Sequence, residues 1–381
     1  MSSSKPIDIH DGISIDYVDA RTTNLLDRWI RHAEWWNARG QAGLDSYARV
    51  TTGRIAPRTH ALDRHGRAIS GLNFASQDYL SLTSHPRVIA AAQAAAERYG
   101  VHSAGSAALM GLTPLTCELE ERLAAFLGLR EATVFPTGWG AGYGAIRTLV
   151  RPGDHIVLDA LARTCLQEAA NMSGAEVHRV LHCSPEAVAR RLTGIRKEHP
   201  RTGILVVTEG VFSIDSDIPD IAALQDLCRE HEATLIVDVA HDLGALGETG
   251  RGVLEEQGMV GKVDVVTGSF SKAFASNGGF VATNHPALKL ALRHGCGPLT
   301  FTNTLSPAQA AAVLECLSIV ESREGVERRQ RLRTNLRRLR RRMTEERFDV
   351  LGQPSALVPV VLGGSALARV MTAEVQRRGA S

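Results

Sequence analysis

The stretch ILVVTEGVFSIDSDIPDIAALQDLCREHEATLIVDVAH, residues 204–241, reads as strand, helix, strand. Its ends, ILVVTEG and TLIVDVAH, are short β-branched runs that are apolar on both faces, and PDIAALQDLCREHE between them has a helical pattern. A strand apolar on both faces has no solvent side, so it belongs in a sheet covered by helices above and below. Working outward, ATVFP (132–136), HIVLD (155–159), VDVVTGS (263–269) and GGFVAT (278–283) repeat the pattern. Strands and helices alternating in this way predict an α/β protein with a mostly parallel sheet.

In open sheets of this kind a ligand lies beyond the carboxyl ends of the strands. Glu209 closes ILVVTEG, Asp238 and His241 close TLIVDVAH, and Ser269 to Lys272 end VDVVTGS and the residues after it, so acids, an imidazole and an amine converge on one crevice. In VTGSFSKAFASNGGFV (266–281) Lys272 stands among small and apolar residues, between serines and a glycine pair. An amine attacks an aldehyde only when unprotonated, and burial beside apolar or cationic groups lowers a lysine pKa toward that state. Lys272 therefore suits a Schiff base.

Asp238 is the carboxylate that a pyridoxal phosphate ring needs against its nitrogen, because the protonated pyridinium acts as an electron sink for carbanions. His241 is placed to reach the ring's 3-hydroxyl or the imine beside it. In FPTGWGAGYGAIRTLV (135–150) the chain turns through Thr137, Gly138, Trp139 and Gly140 into a helix whose N-terminus favours an anion, and Ser269 adds a hydroxyl. Each feature also has a plainer reading: a lysine reaching out of a loop, a helix-capping aspartate, a structural histidine, a glycine turn. Their coincidence points to a cofactor site.

At 381 residues the chain exceeds one typical domain. A hydrophobic share of 44%, a charged share of 22% and a net charge of +2 describe an ordinary soluble protein and argue neither for nor against a nucleic-acid partner; none is expected. The six cysteines have no CxxC spacing, which disfavours a zinc site and a disulfide framework, so no metal is expected and a reducing compartment follows. With no apolar signal-peptide core at the start and no apolar run near about twenty residues, the protein is read as cytoplasmic, without a membrane span.

LLDRWIRHAEWWNARG (25–40) predicts an amphipathic helix in an N-terminal arm. ESREGVERRQRLRTNLRRLRRRM (321–343) predicts a basic helix with one buried stripe, Leu332, Leu336, Leu339 and Met343. Its arginines read as a solvated face or, alternatively, as a surface for an anion-bearing partner such as a phosphopantetheine carrier or coenzyme A.

With Lys272, Asp238, His241 and the Thr137 turn in hand, the chain from about residue 70 onward resembles the α-oxoamine synthases, fold-type-I pyridoxal-phosphate enzymes. The resemblance is carried by NFASQDYLSLTSHP (73–86), GSAALMGLTPLTCELEERLAAFLG (105–128), VFPTGWGAGYGAI (134–146), VVTEGVFSIDSDIPDI (206–221), VDVAHDLGALGETGRG (237–252), GSFSKAF (268–274) and FTNTLSP (301–307). It implies a mostly parallel seven-stranded sheet with helices on both faces. It also implies three parts: an N-terminal arm (1–72), a large cofactor-binding domain (73–290) and a C-terminal small α/β domain (291–381), apparently incomplete.

The implied cofactor is pyridoxal 5′-phosphate. Lys272 would carry it and later move protons at the substrate Cα, Asp238 would pair with the ring nitrogen, and His241 would bond the phenolic oxygen. Ser269 and the backbone of Thr137, Gly138 and Trp139 would hold the phosphate, and Glu209 would line the site. Thr302 matches a hydroxyl that reaches the phosphate from a neighbouring subunit, which implies a homodimer with shared active sites. The implied reaction condenses an amino acid with an acyl thioester, on coenzyme A or a carrier protein, with loss of carbon dioxide, to give an α-aminoketone.

Three features depart from the family pattern. Arg163, in DALARTCLQEA, stands where the family stacks a histidine on the ring, and is expected either to turn toward a substrate anion or to alter the catalytic step. Gln77 replaces a common substrate-holding asparagine. The chain stops at AEVQRRGAS, before the family's later strands and the arginine that binds the amino-acid carboxylate, for which Arg49 in DSYARVTTGR is a candidate substitute. The alternatives are another fold-type-I enzyme, an aminotransferase or aldol-type lyase, and a catalytically weakened subunit that supports a partner.

Overall fold

The computed structural model describes residues 6–380. The chain forms two compact units, one of residues 1–76 with 360–381 and one of residues 77–359. In the first, strands β1 (Val50–Thr51), β2 (Arg58–Leu62) and β3 (Ala68–Leu72) make an antiparallel sheet. The arm helix expected over 25–40 forms as Ile30–Gln41. It buries Trp35, whose ring stacks on Tyr17 at 4.7 Å and lies under the Arg39 guanidinium at 4.5 Å. The helix Ser365–Arg377 belongs to this unit, and beyond it the Gly379 carbonyl accepts the Leu72 N–H at 2.8 Å.

The second unit is built on a seven-stranded sheet. Its strands are β4 (Glu131–Phe135), β5 (His155–Asp159), β6 (Glu176–Val180), β7 (Ile204–Glu209), β8 (Thr234–Asp238), β9 (Val265–Ser269) and β10 (Gly279–Thr283). The spatial order is β4-β10-β9-β8-β7-β5-β6. β10 runs antiparallel to β4 and β9, and the remaining pairs are parallel. All six short runs read as strands from the sequence lie in this sheet. The helix between the last two strands of the opening stretch forms over Ile221–Glu230, capped by the Asp220 carboxylate, which accepts the Ala223 N–H at 2.9 Å.

Successive strand residues feed opposite faces, as a period of two requires. Val206 joins a core with Leu192, Leu224 and Val313, while Leu205 and Val207 join one with Ala145, Ile146 and Leu166. The helix Pro307–Glu321 is buried on nearly every side and packs on the helices Pro86–Tyr99 and Pro114–Leu127. A helix apolar all round has to be enclosed by a core, and residues 291–359 accordingly group with the sheet rather than with the end of the chain, as the division at 290 had it.

The basic helix spans Arg323–Glu345, but the expected stripe of Leu332, Leu336, Leu339 and Met343 is half-buried instead of enclosed. Its buried positions are Gly325 and Arg329, the latter donating to the carbonyls of Val320 (2.8 Å) and Glu248 (2.9 Å). All six cysteines are free. No helix of the described residues is long and apolar enough to cross a membrane.

Candidate active site

The carboxyl ends of the central strands supply the groups read from the sequence. Glu209 and Asp238 are register partners at the ends of β7 and β8, and Thr267 of β9 pairs with Asp238. All three are buried. Asp238 Oδ1 accepts the Ala240 N–H at 2.9 Å, and the Thr267 hydroxyl approaches Oδ2 at 3.4 Å.

Beyond β4, Thr137 caps the helix Gly138–Leu149, its hydroxyl oxygen accepting the Gly140 N–H at 2.9 Å. The turn is held against its neighbours so closely that side chains are excluded. A Cβ on Gly138 would fall 2.5 Å from Ser269 Cβ, and one on Gly279 2.5 Å from Gly138 Cα. Gly278, at φ +103°, turns the chain in a region that L side chains rarely adopt.

Around this turn lies a cavity of about 240 Å³ lined by Thr137, Gly138, Trp139, Arg163, Cys165, Ser269, Ser271, Lys272, Asn277 and Gly278. Lys272 is only 4% exposed, and burial, then the Arg163 charge, lowers its ammonium pKa to about 8. His241 accepts or donates at Nδ1 to the Tyr79 hydroxyl, 2.9 Å away, and burial with the Lys272 and Arg163 charges pushes its pKa down to about 2, so its imidazole is neutral. Burial and the nearby Asp238 charge raise Glu209 to about 8.

Arg163 is held by a carboxylate of the protein itself. Its guanidinium lines the cavity and donates to Asp238 Oδ1 at 3.1 Å, while its backbone N–H donates to Glu209 Oε1 at 2.6 Å. The pair sets a half-buried guanidinium against a buried carboxylate, and Asp238 raises the Arg163 pKa further. Glu209 Oε2 has no protein partner.

Two predicted site residues lie elsewhere on the surface of this unit. Gln77 is exposed, and Thr302 is exposed with its hydroxyl donating to the Pro298 carbonyl at 2.6 Å. Arg49 belongs to the other unit, where Asp45 and Asp63 oppose the lowering of its pKa by burial. Sequence reasoning passed over Tyr79, Cys165, Ser271 and Asn277. Ser271 had a signal, since its hydroxyl lies two residues from Ser269 and 2.8 Å from it in space. Tyr79 had none, because its partner His241 stands 162 residues away.

Residues 69–378 match the family described as aminotransferase class I and II. Over 312 residues, 81% of this chain and 78% of the relative, the protein is 36% identical to 8-amino-7-oxononanoate synthase of Salmonella dublin. The enzyme of the same name from Salmonella arizonae is 38% identical over the same span. Among solved structures, a serine palmitoyltransferase variant from S. paucimobilis with bound PLP and myriocin superposes with a TM-score of 0.86 at 31% identity, covering 94% of this chain and 91% of that one. The Sphingomonas wittichii serine palmitoyltransferase gives 0.85 at 32%, with 94% and 88% coverage.

The chain belongs to the α-oxoamine synthase family. It has the fold-type-I transferase fold, its cofactor is pyridoxal 5′-phosphate, and its reaction class is the decarboxylative condensation of an amino acid with an acyl thioester. The residues present fit such a cofactor in this α-oxoamine synthase. The Gly138 and Gly279 backbone forms a cradle that a Cβ would fill, a helix N-terminus and two serine hydroxyls face the cavity, and a buried lysine with a lowered pKa lines it.

Proposed function

We propose that Lys272 carries the cofactor aldehyde, that Ser269, Ser271 and the N–H groups of Gly138 and Trp139 hold its phosphate, and that Asp238 faces the ring nitrogen. The observation that carries this assignment is the buried Lys272 amine sharing one cavity with the N-terminus of the Gly138 helix and with the guanidinium on Asp238. When bound, pyridoxal phosphate supplies the electron sink for a substrate carbanion. The protein's own part is position and protonation. Lys272, with a pKa near 8, is available as a base at neutral to mildly alkaline pH. Neutral His241, fixed by Tyr79, offers one ring nitrogen to an oxygen on the ring. Arg163, a cation lining the cavity, would hold the substrate carboxylate when Asp238 faces the cofactor ring. Gln77 and Arg49 are further candidates for holding substrate.

The substrates are an amino acid and an acyl thioester, either of coenzyme A or of a carrier protein. Borohydride reduction of the loaded protein followed by peptide mass spectrometry tests the assignment: the phosphopyridoxyl group belongs on Lys272 and is lost in Lys272→Ala. Release of free thiol together with carbon dioxide from an amino acid and an acyl thioester identifies the condensation. Transfer of the amino group to an added keto acid would identify an aminotransferase instead.

The assembly is a homodimer in which Thr302 completes the partner's site. Val101, Leu109, Met110 and Phe301 are each at least 80% exposed. They stand on two loops tied together by the Thr304 N–H to the Gly105 carbonyl at 2.9 Å and by Ser103 to the Thr304 carbonyl at 2.8 Å. So much apolar surface beside Thr302 is what a subunit interface requires.

A second reading rests on the Arg163–Asp238 pair. A guanidinium that stays on Asp238 competes with the ring nitrogen and leaves a weakened subunit that supports an active partner. A purified protein that stays colourless with added pyridoxal phosphate would favour that reading.

A further inference from the structure

At the opposite ends of β5 and β6 from the catalytic crevice, three metal-ligating side chains converge. His155 and Glu176 are register partners across the two strands, and His178 follows Glu176 by two residues, on the same face of the edge strand. His155 Nδ1 lies 2.9 Å from His178 Nε2. The two oxygens of Glu176 address the pair, one 3.7 Å from His155 Nδ1 and the other 3.6 Å from His178 Nε2. Those last two separations are too long for hydrogen bonds. They are close to the edge of a tetrahedron around an ion with bonds of about 2.0–2.1 Å, roughly 3.3 Å.

The imidazoles are suited to the task. Their side chains are 6% and 10% exposed, which shields the ring nitrogens from bulk water. The Glu176 side chain is 65% exposed, so water has access to a fourth position. Two other groups lie near the cluster: the His199 ring, 4.9 Å from that of His155, and Arg191, whose charge opposes a cation.

We propose that His155, Glu176 and His178 form a binding site for a zinc-class divalent cation, which staples the edge strand β6 to β5. Two nitrogens and one carboxylate oxygen are a ligand set that zinc accepts. The site contains no cysteine, which is why cysteine spacing gave no sign of it. An edge strand has one unpaired side, and a metal tie to its neighbour holds it in register.

The test uses the full-length protein loaded with pyridoxal phosphate, stripped of metal by a chelator and dialysed against Zn²⁺. The expected result is one retained equivalent by elemental analysis and a melting midpoint raised by about 5 °C at a hundredfold excess over Kd. His178→Gln loses that equivalent and the shift, and the exposed Glu176→Gln weakens binding at least about tenfold, as loss of one ligand should. His182→Gln is the control, because Asp159, His182 and Cys183 form a second group of metal-ligating type near the crevice; this variant keeps both the equivalent and the shift. Circular dichroism confirms that each variant is folded. Zinc content unchanged in folded His178→Gln, loss confined to His182→Gln, or no uptake by the unaltered protein each overturns the proposal.

Discussion

At the scale of single residues, Arg163 sets the electrostatics of the cavity. It repels the Lys272 ammonium and at the same time pairs with Asp238, whose charge attracts that ammonium. Replacing Arg163 with Met removes the repulsion and frees the attraction, so both changes raise the Lys272 pKa above its value of about 8. A spectroscopic pH titration of cofactor uptake should show a midpoint displaced to higher pH in Arg163→Met, and an unmoved midpoint would refute the coupling. Linkage gives a second check. Because the folded Lys272 pKa of about 8 lies below the ordinary 10.5, the unfolded chain holds more protons between those values and stability rises with pH across that window.

Glu209 has the opposite sign. Its folded pKa near 8 lies above the ordinary 4.5, so its contribution is fully present below pH 4.5 and is lost as pH rises through 8. Glu209→Gln keeps an acceptor for the Arg163 N–H and removes this dependence. Urea midpoints measured between pH 5 and 8 should therefore fall less steeply in the variant than in the unaltered protein.

At the scale of elements, the turn from β4 into the Gly138 helix is the proposed holder of the phosphate. Gly138→Ala places a methyl 2.5 Å from Ser269 Cβ, where backbone and side chain are both fixed by the sheet. Overpacking of this kind costs about 1–3 kcal/mol, to be read from denaturant unfolding, and cofactor retention should fall with it. Thr137→Ala removes a helix cap worth about 1 kcal/mol without filling the cavity, so its loss of stability should come with a smaller loss of cofactor. These elements were legible beforehand because their signals are local. A β-branched run, a threonine before glycines and a helical apolar stripe each act over a few neighbouring residues. The basic helix was legible in extent but not in burial, since its own periodicity does not reveal what packs on it. Arg329, not the leucine stripe, proved to be its buried side chain.

At the scale of the whole molecule, the exposed apolar loops carry the expectation of a dimer. Met110 is 92% exposed and Phe301 87% exposed. A double change, Met110→Glu with Phe301→Asp, should leave a folded monomer by light scattering and, on the proposal that Thr302 completes a partner's site, lower the affinity for pyridoxal phosphate. A dimer that persists, or a monomer with unchanged affinity, would count against shared sites.

The sequence by itself determined the α/β architecture, the strand ends that carry Glu209, Asp238, His241 and Lys272, and the glycine turn at Thr137. All follow from short-range patterns of apolar, small and β-branched residues that the backbone obeys wherever they occur. Only the tertiary structure decided where Arg163 points, that Tyr79 fixes His241, and that His155, Glu176 and His178 meet. A long polar side chain goes to the nearest buried opposite charge, and for Arg163 that charge lies 75 residues along the chain, brought close by the register of neighbouring strands.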